Sequence, residues 1–383
     1  LKQGKESRAV FAHRRAFEDW FPIGCWSNKP DFYQTLRHLH IETCVRGGRA
    51  DDEFFSQAAA KYGFRTMTHV GVPADIDQIR SLADHPAVAC WMLTDEPDWS
   101  IAPNIMLFGD RMVRQYNSTK PTFITLCRNV KFFEYAPISD IPCMDHYSVT
   151  APTSSKWPKM YGTHLEETGY YTRDLKLCSE PKPIWIWSQG IANWGERPKR
   201  PVPTPNELAV QLLQNLGYGA KGILWFNYQQ DEAEAWPDVR DAIQGWGRVM
   251  RLTRNDFLGS EPIETEVKAP DKVIVLPLVT WDKALLCITN ADYQLDPAAY
   301  PFNPKKEVEI ALDLPEWLEP AVALEIGPDG VKPLTLEGKR GKAKIQAGDL
   351  EAAKLIVLAN DPAAEAKYKE TYEQVIKDET REY

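Results

Sequence analysis

The chain has 383 residues and a formal net charge of -9 at pH 7, with 45 Lys and Arg against 54 Asp and Glu. That length supplies apolar material for a large core and is sufficient for two or three domains. The acidic balance without a basic cluster argues against a nucleic-acid partner. The sequence also contains no apolar run long enough for a transmembrane helix.

Aromatic residues are abundant, with 13 Trp, 15 Tyr and 14 Phe. Aromatic side chains line many small-molecule sites, and their flat faces stack on the C–H faces of sugar rings. Large domains also bury aromatics for packing alone, which accounts for most of these residues equally well. The composition is therefore compatible with carbohydrate binding but does not require it.

Cysteine usage and the first residue bear on the compartment. Seven cysteines occur, an odd number without a CxxC pair, and most lie inside apolar runs. They predict buried free thiols rather than a disulfide framework or a zinc site, and we expect no cofactor. The chain begins at Leu1 rather than Met, which is typical either of a removed signal peptide or of a shortened chain, and we expect a periplasmic or secreted protein.

Residues 1 to about 20 are charged and predict a helical lead-in. Eight apolar, strand-like runs then alternate with helical segments. The runs cover residues 21–26, 41–46, 64–72, 90–94, 122–127, 141–147, 183–189 and 222–228, and the helical segments cover 30–39, 51–63, 75–84, 101–117, 163–179, 205–219 and 237–253. Eight strands alternating with helices over about 240 residues predict a (β/α)8 TIM barrel within residues 1–259.

The pattern changes after Gly259. Short β-rich segments separated by Pro, Gly and Asp cover residues 272–278, 284–290, 307–312, 322–326 and 353–358. They predict a small antiparallel β-sandwich within residues 260–360. Residues 361–383 are charged and predict a helical tail, with Tyr368, Tyr372 and Val375 on one possible face.

The stretch from Cys90 to Trp99 is the most informative. Its apolar run ends in the adjacent acids Asp95 and Glu96, and Pro97 prevents the strand from continuing. A buried strand with acids at its C-terminal end is how a parallel barrel presents catalytic groups. An acidic turn, or a helix N-terminus that favours carboxylates, would give the same pattern.

The other predicted strand ends carry a polar and aromatic set, and in barrels the chemistry lies at these ends. The candidate catalytic residues are Glu96 and Asp145, and the candidate substrate-binding residues are Trp26, Arg46, His69, Asp95, Arg128, His146, Tyr147, Trp187, Gln189, Trp225, Asn227 and Tyr228.

Several of these candidates have a structural alternative. His69 alone is more typical of a histidine with satisfied hydrogen bonds than of a base. Arg46 and Arg128 could serve only to neutralise nearby acids. Trp187 and Trp225 could point outward into the helix layer, because strand residues alternate between faces.

An aromatic fourth strand that ends in acid–Glu–Pro resembles the glycoside hydrolases of the large clan A barrel group. The resemblance spans about residues 21–259 and includes Asp145-His146-Tyr147, residues 183–190, residues 205–208 and residues 219–223. These stretches are similar to glycosidase-like proteins of polysaccharide-degrading bacteria, in which a sandwich commonly accompanies the barrel. The resemblance implies hydrolysis of an oligo- or polysaccharide with Glu96 as the general acid.

The chain departs from that clan at strand seven, where the family has a Glu nucleophile and this sequence has Gln189. A neutral amide cannot form the glycosyl–enzyme ester of a retaining mechanism. We therefore expect Asp145 to be the second carboxylate. Strands four and six are separated by one strand, which predicts about 8–10 Å between their ends. An inverting enzyme places its base at about that distance from its acid.

The remaining roles follow from this expectation. Asp95 would hold a sugar hydroxyl or orient Glu96, and Gln189 would donate to a sugar hydroxyl. Trp26, Trp187 or Trp225 would be stacking platforms. Asp231 and Glu232, just after strand eight, are reserve candidates for the base.

Two other functions stay open. The missing strand-seven Glu is equally typical of a non-catalytic glycan-binding protein on a glycosidase-like barrel. A metal-assisted hydrolase would use His69, Asp145 and His146, but barrel metal sites often recruit several histidines and the chain has only seven.

Overall fold

The computed structural model describes residues 2–3, 6–7, 20–26, 30–46, 58–150, 164–190, 202–226, 228, 236–295 and 300–383. Near the N-terminus, Lys2–Gln3 and Glu6–Ser7 pair as two short antiparallel strands. The helix predicted for residues 1–20 is therefore wrong for these four residues, and most of its remainder lies outside the described ranges. None of the helices in the described ranges is long and apolar enough to cross a bilayer.

Eight parallel strands close into a barrel, which confirms the predicted fold class. They are β1 (Ile23–Cys25), β2 (Thr43–Arg46), β3 (Arg65–His69), β4 (Val88–Met92), β5 (Thr122–Leu126), β6 (Ile141–Asp145), β7 (Trp185–Gln189) and β8 (Ile223–Phe226). β8 pairs with both β7 and β1, which completes the ring. Every residue of β4 to β7 is buried, because these strands lie between the barrel interior and the helix layer.

A helix follows each barrel strand. The helices are α1 (Tyr33–His38), α2 (Ala60–Tyr62), α3 (Ile76–Leu82), α4 (Pro103–Tyr116), α5 (Phe132–Tyr135), α6 (Glu167–Ser179), α7 (Pro205–Gly217) and α8 (Pro237–Gly259). The start of α7 is specified locally: Thr204 accepts from the Glu207 N–H, Glu207 accepts from the Thr204 N–H, and Pro205 occupies the first turn.

Strand residues alternate between two apolar layers. One layer fills the barrel interior and includes Met67, Phe123 and Leu224, and the other lies between the strands and the helices and includes Ile124 and Trp225. Successive side chains of a strand point to opposite faces. Once one residue is assigned to a layer, the directions of all the remaining side chains on that strand follow.

The second domain is one curled, nine-stranded antiparallel sheet, in agreement with the β-sandwich-like domain expected after the barrel. Its strands are β9 (Glu261–Pro262), β10 (Val267–Lys268), β11 (Val273–Val279), β12 (Lys283–Asn290), β13 (Lys305–Asp313), β14 (Val322–Gly327), β15 (Gly330–Lys339), β16 (Lys342–Leu350) and β17 (Ala353–Ala359). The order across the sheet is β9-β11-β12-β17-β14-β15-β16-β13-β10. The sequence did not predict β15 and β16, because they are charged and half exposed and lack an apolar run.

The last helix, α9 (Ala364–Asp378), packs on the barrel. Tyr368 and Val375 are buried on its inner face, and the Tyr368 hydroxyl donates to Asp256 at the end of α8. Beyond the helix, Glu379 receives hydrogen bonds from Arg248 (Nη2 to Oε2, 2.8 Å) and lies 2.8 Å from His40 Nε2. These contacts hold the C-terminal helix against α8.

The sheet domain also reaches the end of the barrel where β6 and β7 finish. The Tyr300 N–H donates to Glu207 at the start of α7 (2.7 Å), and the Leu165 N–H before α6 donates to the Tyr293 hydroxyl (2.9 Å). Val149, which follows β6, belongs to the same apolar cluster as Tyr300. The loop after β6 is therefore supported by the second domain.

Candidate active site

The loop after β4 carries the two adjacent acids. β4 ends at Met92, so Asp95 and Glu96 lie beyond the strand rather than on its last residues. Glu96 has φ 41° and ψ 49°, in the left-handed region, and Pro97–Trp99 form a turn of 3-10 helix. Holding a non-glycine residue in that region destabilises the folded state by about 1–3 kcal/mol, and such residues cluster at functional sites.

Asp98 fixes the course of this loop. Its buried carboxylate accepts hydrogen bonds from the backbone N–H groups of Cys127 (3.0 Å) and Arg128 (2.7 Å), directly after β5. Burial raises the pKa of Asp98, and the two backbone donors oppose that shift because they favour the carboxylate. These hydrogen bonds hold the loop after β4 against the end of β5, on the side that faces β6.

Glu96 meets Asp145, the last residue of β6. Asp145 is 7% exposed, and its carboxyl faces that of Glu96 within hydrogen-bonding range. The predicted separation of about 8–10 Å, with space for a water between the carboxyls, is therefore wrong. Strand spacing did not apply, because Glu96 lies on a loop that Asp98 draws across β5.

Glu96 and Asp145 form a carboxyl pair in which the acid form of Asp145 is favoured. Burial raises the pKa of Asp145 well above its ordinary value, and the negative charges of Glu96 and Asp95 raise it further. The Tyr147 hydroxyl has the opposite, smaller effect. In its acid form Asp145 donates a hydrogen bond to Glu96. Because its surroundings favour the acid form, Asp145 is poorly suited to the role of general base that the sequence predicted for it.

Asp95 is the third carboxyl of the site. The residue as a whole is exposed, but its carboxyl is largely surrounded by protein, and this burial together with the charges of Glu96 and Asp98 raises its pKa to about 7. Thr125, on the barrel face of β5, donates a hydrogen bond to Asp95, which lowers the pKa slightly. Near neutral pH, Asp95 can therefore either accept or release a proton.

Gln189 occupies the end of β7 and is fully buried. Its Oε1 accepts from the Val149 N–H (3.2 Å) in the loop after β6, and within the described part of the chain its Nε2 has no hydrogen-bond partner. Gln189 therefore connects β7 to the loop that follows Asp145, and both N–H donors of its Nε2 are left for a further group.

Trp187 points into the barrel but is not an exposed stacking platform. It is 1% exposed, its Nε1 donates to Thr125 Oγ1 (3.1 Å), and its ring contacts Trp26 and Phe226 with centroids 5.4 and 6.3 Å apart. Tyr147 stacks on Phe226 in the same interior cluster, at 5.2 Å. Trp26 and Phe226 are both half-buried and are the aromatics of this group that reach the surface.

Trp99 is a rim aromatic that the sequence interpretation missed. Its side chain is 50% exposed, and the Arg128 guanidinium lies 4.9 Å from its ring centroid. Arg128 was predicted to bind substrate or to neutralise an acid, and the structure places it against this indole. The sequence signal was adjacency, because Trp99 follows Glu96 by three residues.

Three candidate residues lie outside the barrel interior. Trp225 and Tyr228 are buried in the layer between strands and helices, where Tyr228 stacks on Phe32 at 5.8 Å. His146 packs against Tyr171 of α6, at 4.1 Å. Trp225 and His146 each lie one position out of phase with the inward-facing residues Leu224, Phe226 and Asp145, and Tyr228 lies beyond the end of β8. The structure therefore does not bring these three candidates to the inward face, and for Trp225 this is the outward alternative that the sequence left open.

His69 does lie on the inward face of β3, two residues after Met67, and burial lowers its pKa, which favours the neutral imidazole. His146 faces the opposite direction from Asp145, so the three residues of the metal-assisted alternative do not converge. Within the described ranges, no group of three His, Cys, Asp or Glu side chains is arranged to hold a metal.

Asn227, Asp231 and Glu232 lie outside the described residues, and for Arg46 the structure describes only the backbone, at the end of β2. The central group of the candidate site is therefore Asp95, Glu96 and Asp145, with Gln189 and Trp26 on neighbouring strand ends.

Asp145→Asn is expected to raise the melting temperature at pH 8 but not at pH 4. The pKa of the Asp145 carboxyl is higher in the folded protein than in the unfolded one. The stabilisation of the folded state that results is fully present below the unfolded pKa and is lost as the pH rises through the folded pKa. Asn does not ionise and avoids that loss. A gain of about 2–4 °C would correspond to ~1 kcal/mol. Thermal unfolding at both pH values tests this, with the exposed Asp349→Asn as a control that should change little. A smaller gain at pH 8 than at pH 4 would contradict it.

The sequence matches no family model, and no curated protein matches it. Many solved structures share its fold. A glycoside hydrolase family 5 protein from Bacteroides vulgatus has a TM-score of 0.57 and 11% identity, with 89% of each chain covered. An alpha-L-fucosidase from Paenibacillus thiaminolyticus has a TM-score of 0.54 and 9% identity, with 90% of this chain and 98% of the other covered.

A beta-galactosidase from Marinomonas ef1 has a TM-score of 0.50 and 9% identity over 63% of this chain. The chain spans 62% of the length of that enzyme. At these identities the likeness shows the fold alone. The chain thus has a glycosidase-like (β/α)8 barrel, and the structures it is similar to are glycoside hydrolases.

Proposed function

We propose that the protein is a glycoside hydrolase acting on an oligo- or polysaccharide, with Glu96 as the general acid. The observation that carries the proposal is the carboxyl pair at the mouth of the barrel, where buried Asp145 faces half-buried Glu96 and its surroundings favour its acid form. Binding a neutral sugar gives little reason to bring three carboxyls together, since their repulsion costs stability. The family context we propose is the glycosidase-like group with Gln at the strand-seven position.

In this proposal Glu96 passes the proton that it shares with Asp145 to the glycosidic oxygen as the bond from that oxygen to the anomeric carbon breaks. The pair is left without its proton and regains one from Asp95 or from solvent after the product leaves. Water adds to the anomeric carbon, and its proton passes to Asp95, which is ionised in about half of the molecules at its pKa of about 7. A single displacement of this kind gives a product of inverted anomeric configuration.

Trp99 is the stacking platform in this proposal, in place of Trp187 and Trp225. Trp99→Ala should raise KM about 3–10-fold, equivalent to ~1 kcal/mol of stacking, and leave kcat nearly unchanged, because stacking contributes similarly to the ground state and the transition state. Steady-state kinetics test this. Trp281→Ala, which removes an 82% exposed indole from the sheet domain, is the control. A fall in kcat without a change in KM would contradict the platform role.

The experiment that tests the function is a screen of oligosaccharides and aryl glycosides with the wild-type protein and Glu96→Gln. Chromatography of the products should reveal at least one substrate that the wild type cleaves and the variant does not. The variant should still bind that substrate, because the substitution removes a proton and leaves the shape of the side chain.

A non-catalytic glycan-binding protein is the second candidate, and Gln189 is the observation that favours it. The strand-seven position that would carry a nucleophile holds a neutral amide, and its oxygen is already engaged by the Val149 N–H. A cognate oligosaccharide that binds but is never cleaved on long incubation would establish this alternative.

A further inference from the structure

Asp98 lies two residues beyond Glu96 and does not belong to the three carboxyls of the proposed mechanism. We infer that Asp98 is a positioning residue that holds Glu96 against Asp145. The kinetic consequence of this inference rests on the proposed glycosidase function, but its structural consequence does not.

The anchor is short and rigid. Asp98 is 3% exposed, and one of its oxygens accepts from both the Cys127 and Arg128 N–H groups, at 3.0 and 2.7 Å. Back towards the acid, the Trp99 N–H donates to the Glu96 carbonyl at 3.3 Å. The turn between anchor and acid is thus closed by hydrogen bonds, so a movement of Asp98 is transmitted to Glu96.

The turn is also fixed beyond the anchor. The Ile101 N–H donates to the Pro97 carbonyl (2.8 Å), and the Ile101 carbonyl accepts from the Tyr135 hydroxyl of α5 (2.6 Å). The residues after Asp98 are therefore held in place by bonds that do not involve its side chain. Without the Asp98 carboxylate, the part of the loop before it, which contains Glu96, would be free to move.

Glu96 needs such an anchor because of its backbone. Its left-handed conformation, φ 41°, is unfavourable for a side chain with a Cβ, so the surrounding structure must impose it. Without the two bonds to the end of β5, the loop can relax to an ordinary conformation. The Glu96 carboxyl would then leave Asp145.

This role predicts an effect on Asp145 that a merely structural anchor would not produce. The titratable groups facing Asp145 are Asp95 and Glu96 from the loop after β4, Cys127 from the end of β5, and Cys143 and Tyr147 of its own element. Of these, Glu96 contributes both a charge and a hydrogen bond that favour the acid form of Asp145. Withdrawal of Glu96 must therefore move the titration of Asp145 to lower pH.

The test compares Asp98→Ala, Asp98→Asn and the control Asp110→Asn, each in the full chain. Asp110 is a matched control because it is also a buried carboxylate beside β5, but it accepts from Thr122 at the opposite end of that strand. Asp98→Asn keeps one acceptor oxygen, so it should change the Asp145 titration and the kinetics less than Asp98→Ala does. It provides the test if Asp98→Ala does not fold.

Two measurements are made on each variant. The Asp145 carboxyl is titrated by 13C NMR, assigned with Asp145→Asn, and kcat and KM are measured on the substrate found in the screen. We expect Asp98→Ala to lower the Asp145 midpoint by at least one pH unit and to lower kcat at least tenfold with KM within threefold. Asp110→Asn should change neither.

An Asp145 titration in both Asp98 variants that matches the wild type would overturn the inference. Equal effects in Asp98→Asn and Asp110→Asn at equal loss of melting temperature would also overturn it, since they would indicate general destabilisation. If the wild type turns over no substrate, the proposed function fails, and the NMR titration still decides the role of Asp98.

Discussion

Glu96→Gln is expected to lower kcat/KM by about 10²–10⁴-fold on natural glycosides, the range that loss of a general acid produces. The amide cannot protonate the glycosidic oxygen, so the loss should be largest for poor leaving groups. Aryl glycosides with acidic phenols need little protonation and should be cleaved at rates closer to those of the wild type. Initial rates over a series of phenols measure this dependence.

Glu325→Gln is a suitable control, because Glu325 pairs with Lys354 on the sheet domain, far from the barrel mouth. It should leave the rates unchanged for every phenol. If Glu96→Gln lowers the rate equally for good and poor leaving groups, Glu96 does not act as the acid and its assignment is wrong.

Asp95→Asn is expected to lower kcat by about 10²–10⁴-fold, and good leaving groups should not restore it, since the base acts on water. The wild-type rate should fall as pH drops through about 7, where Asp95 gains its proton. That acidic limb should be absent from the residual activity of Asp95→Asn. Azide, which needs no base, should restore turnover and give a glycosyl azide.

Asp77→Asn is the control for this substitution, because the Asp77 side chain is 89% exposed on α3. It should reproduce the wild-type pH profile. An acidic limb that persists in Asp95→Asn would show that another group titrates in this range, and Asp95 would then lose the role of base.

The barrel could be predicted from the sequence because its signal is distributed over many residues. Eight apolar runs and the helices between them each carry the pattern, so an error of two residues at one boundary leaves the fold unchanged. β15 and β16 were missed because they alternate charged and small residues, as in Lys342–Leu350, and their partners rather than their composition make them strands.

The direction of side chains was predicted less well. Trp225 and Tyr228 were placed at the mouth, whereas they lie in the outer layer with Cys25 and Ile223. Strand period predicts that neighbours point in opposite directions, but it does not say which set faces inward. The predicted role of Asp145 required it to face the barrel, and that assignment already implies that His146 faces the helices.

The contact between Glu96 and Asp145 could not be predicted. It depends on the left-handed backbone of Glu96 and on Asp98, which accepts hydrogen bonds from two backbone N–H groups after β5. Neither feature can be inferred from the spacing between strands. The role of Gln189 had a clearer signal, since an amide in place of a nucleophile indicates a changed mechanism. Its bond to the Val149 N–H needed the structure.

If Glu96 protonates a glycosidic oxygen and water completes the cleavage, the new oxygen at the anomeric carbon comes from the solvent. Incubation of the protein with its cognate oligosaccharide in water enriched in 18O tests this directly by mass spectrometry. We expect one 18O atom at the anomeric carbon of the released sugar with the wild type, and no such product in the same time with Glu96→Gln, which still binds the sugar. A wild-type protein that binds the oligosaccharide and never incorporates 18O would contradict it.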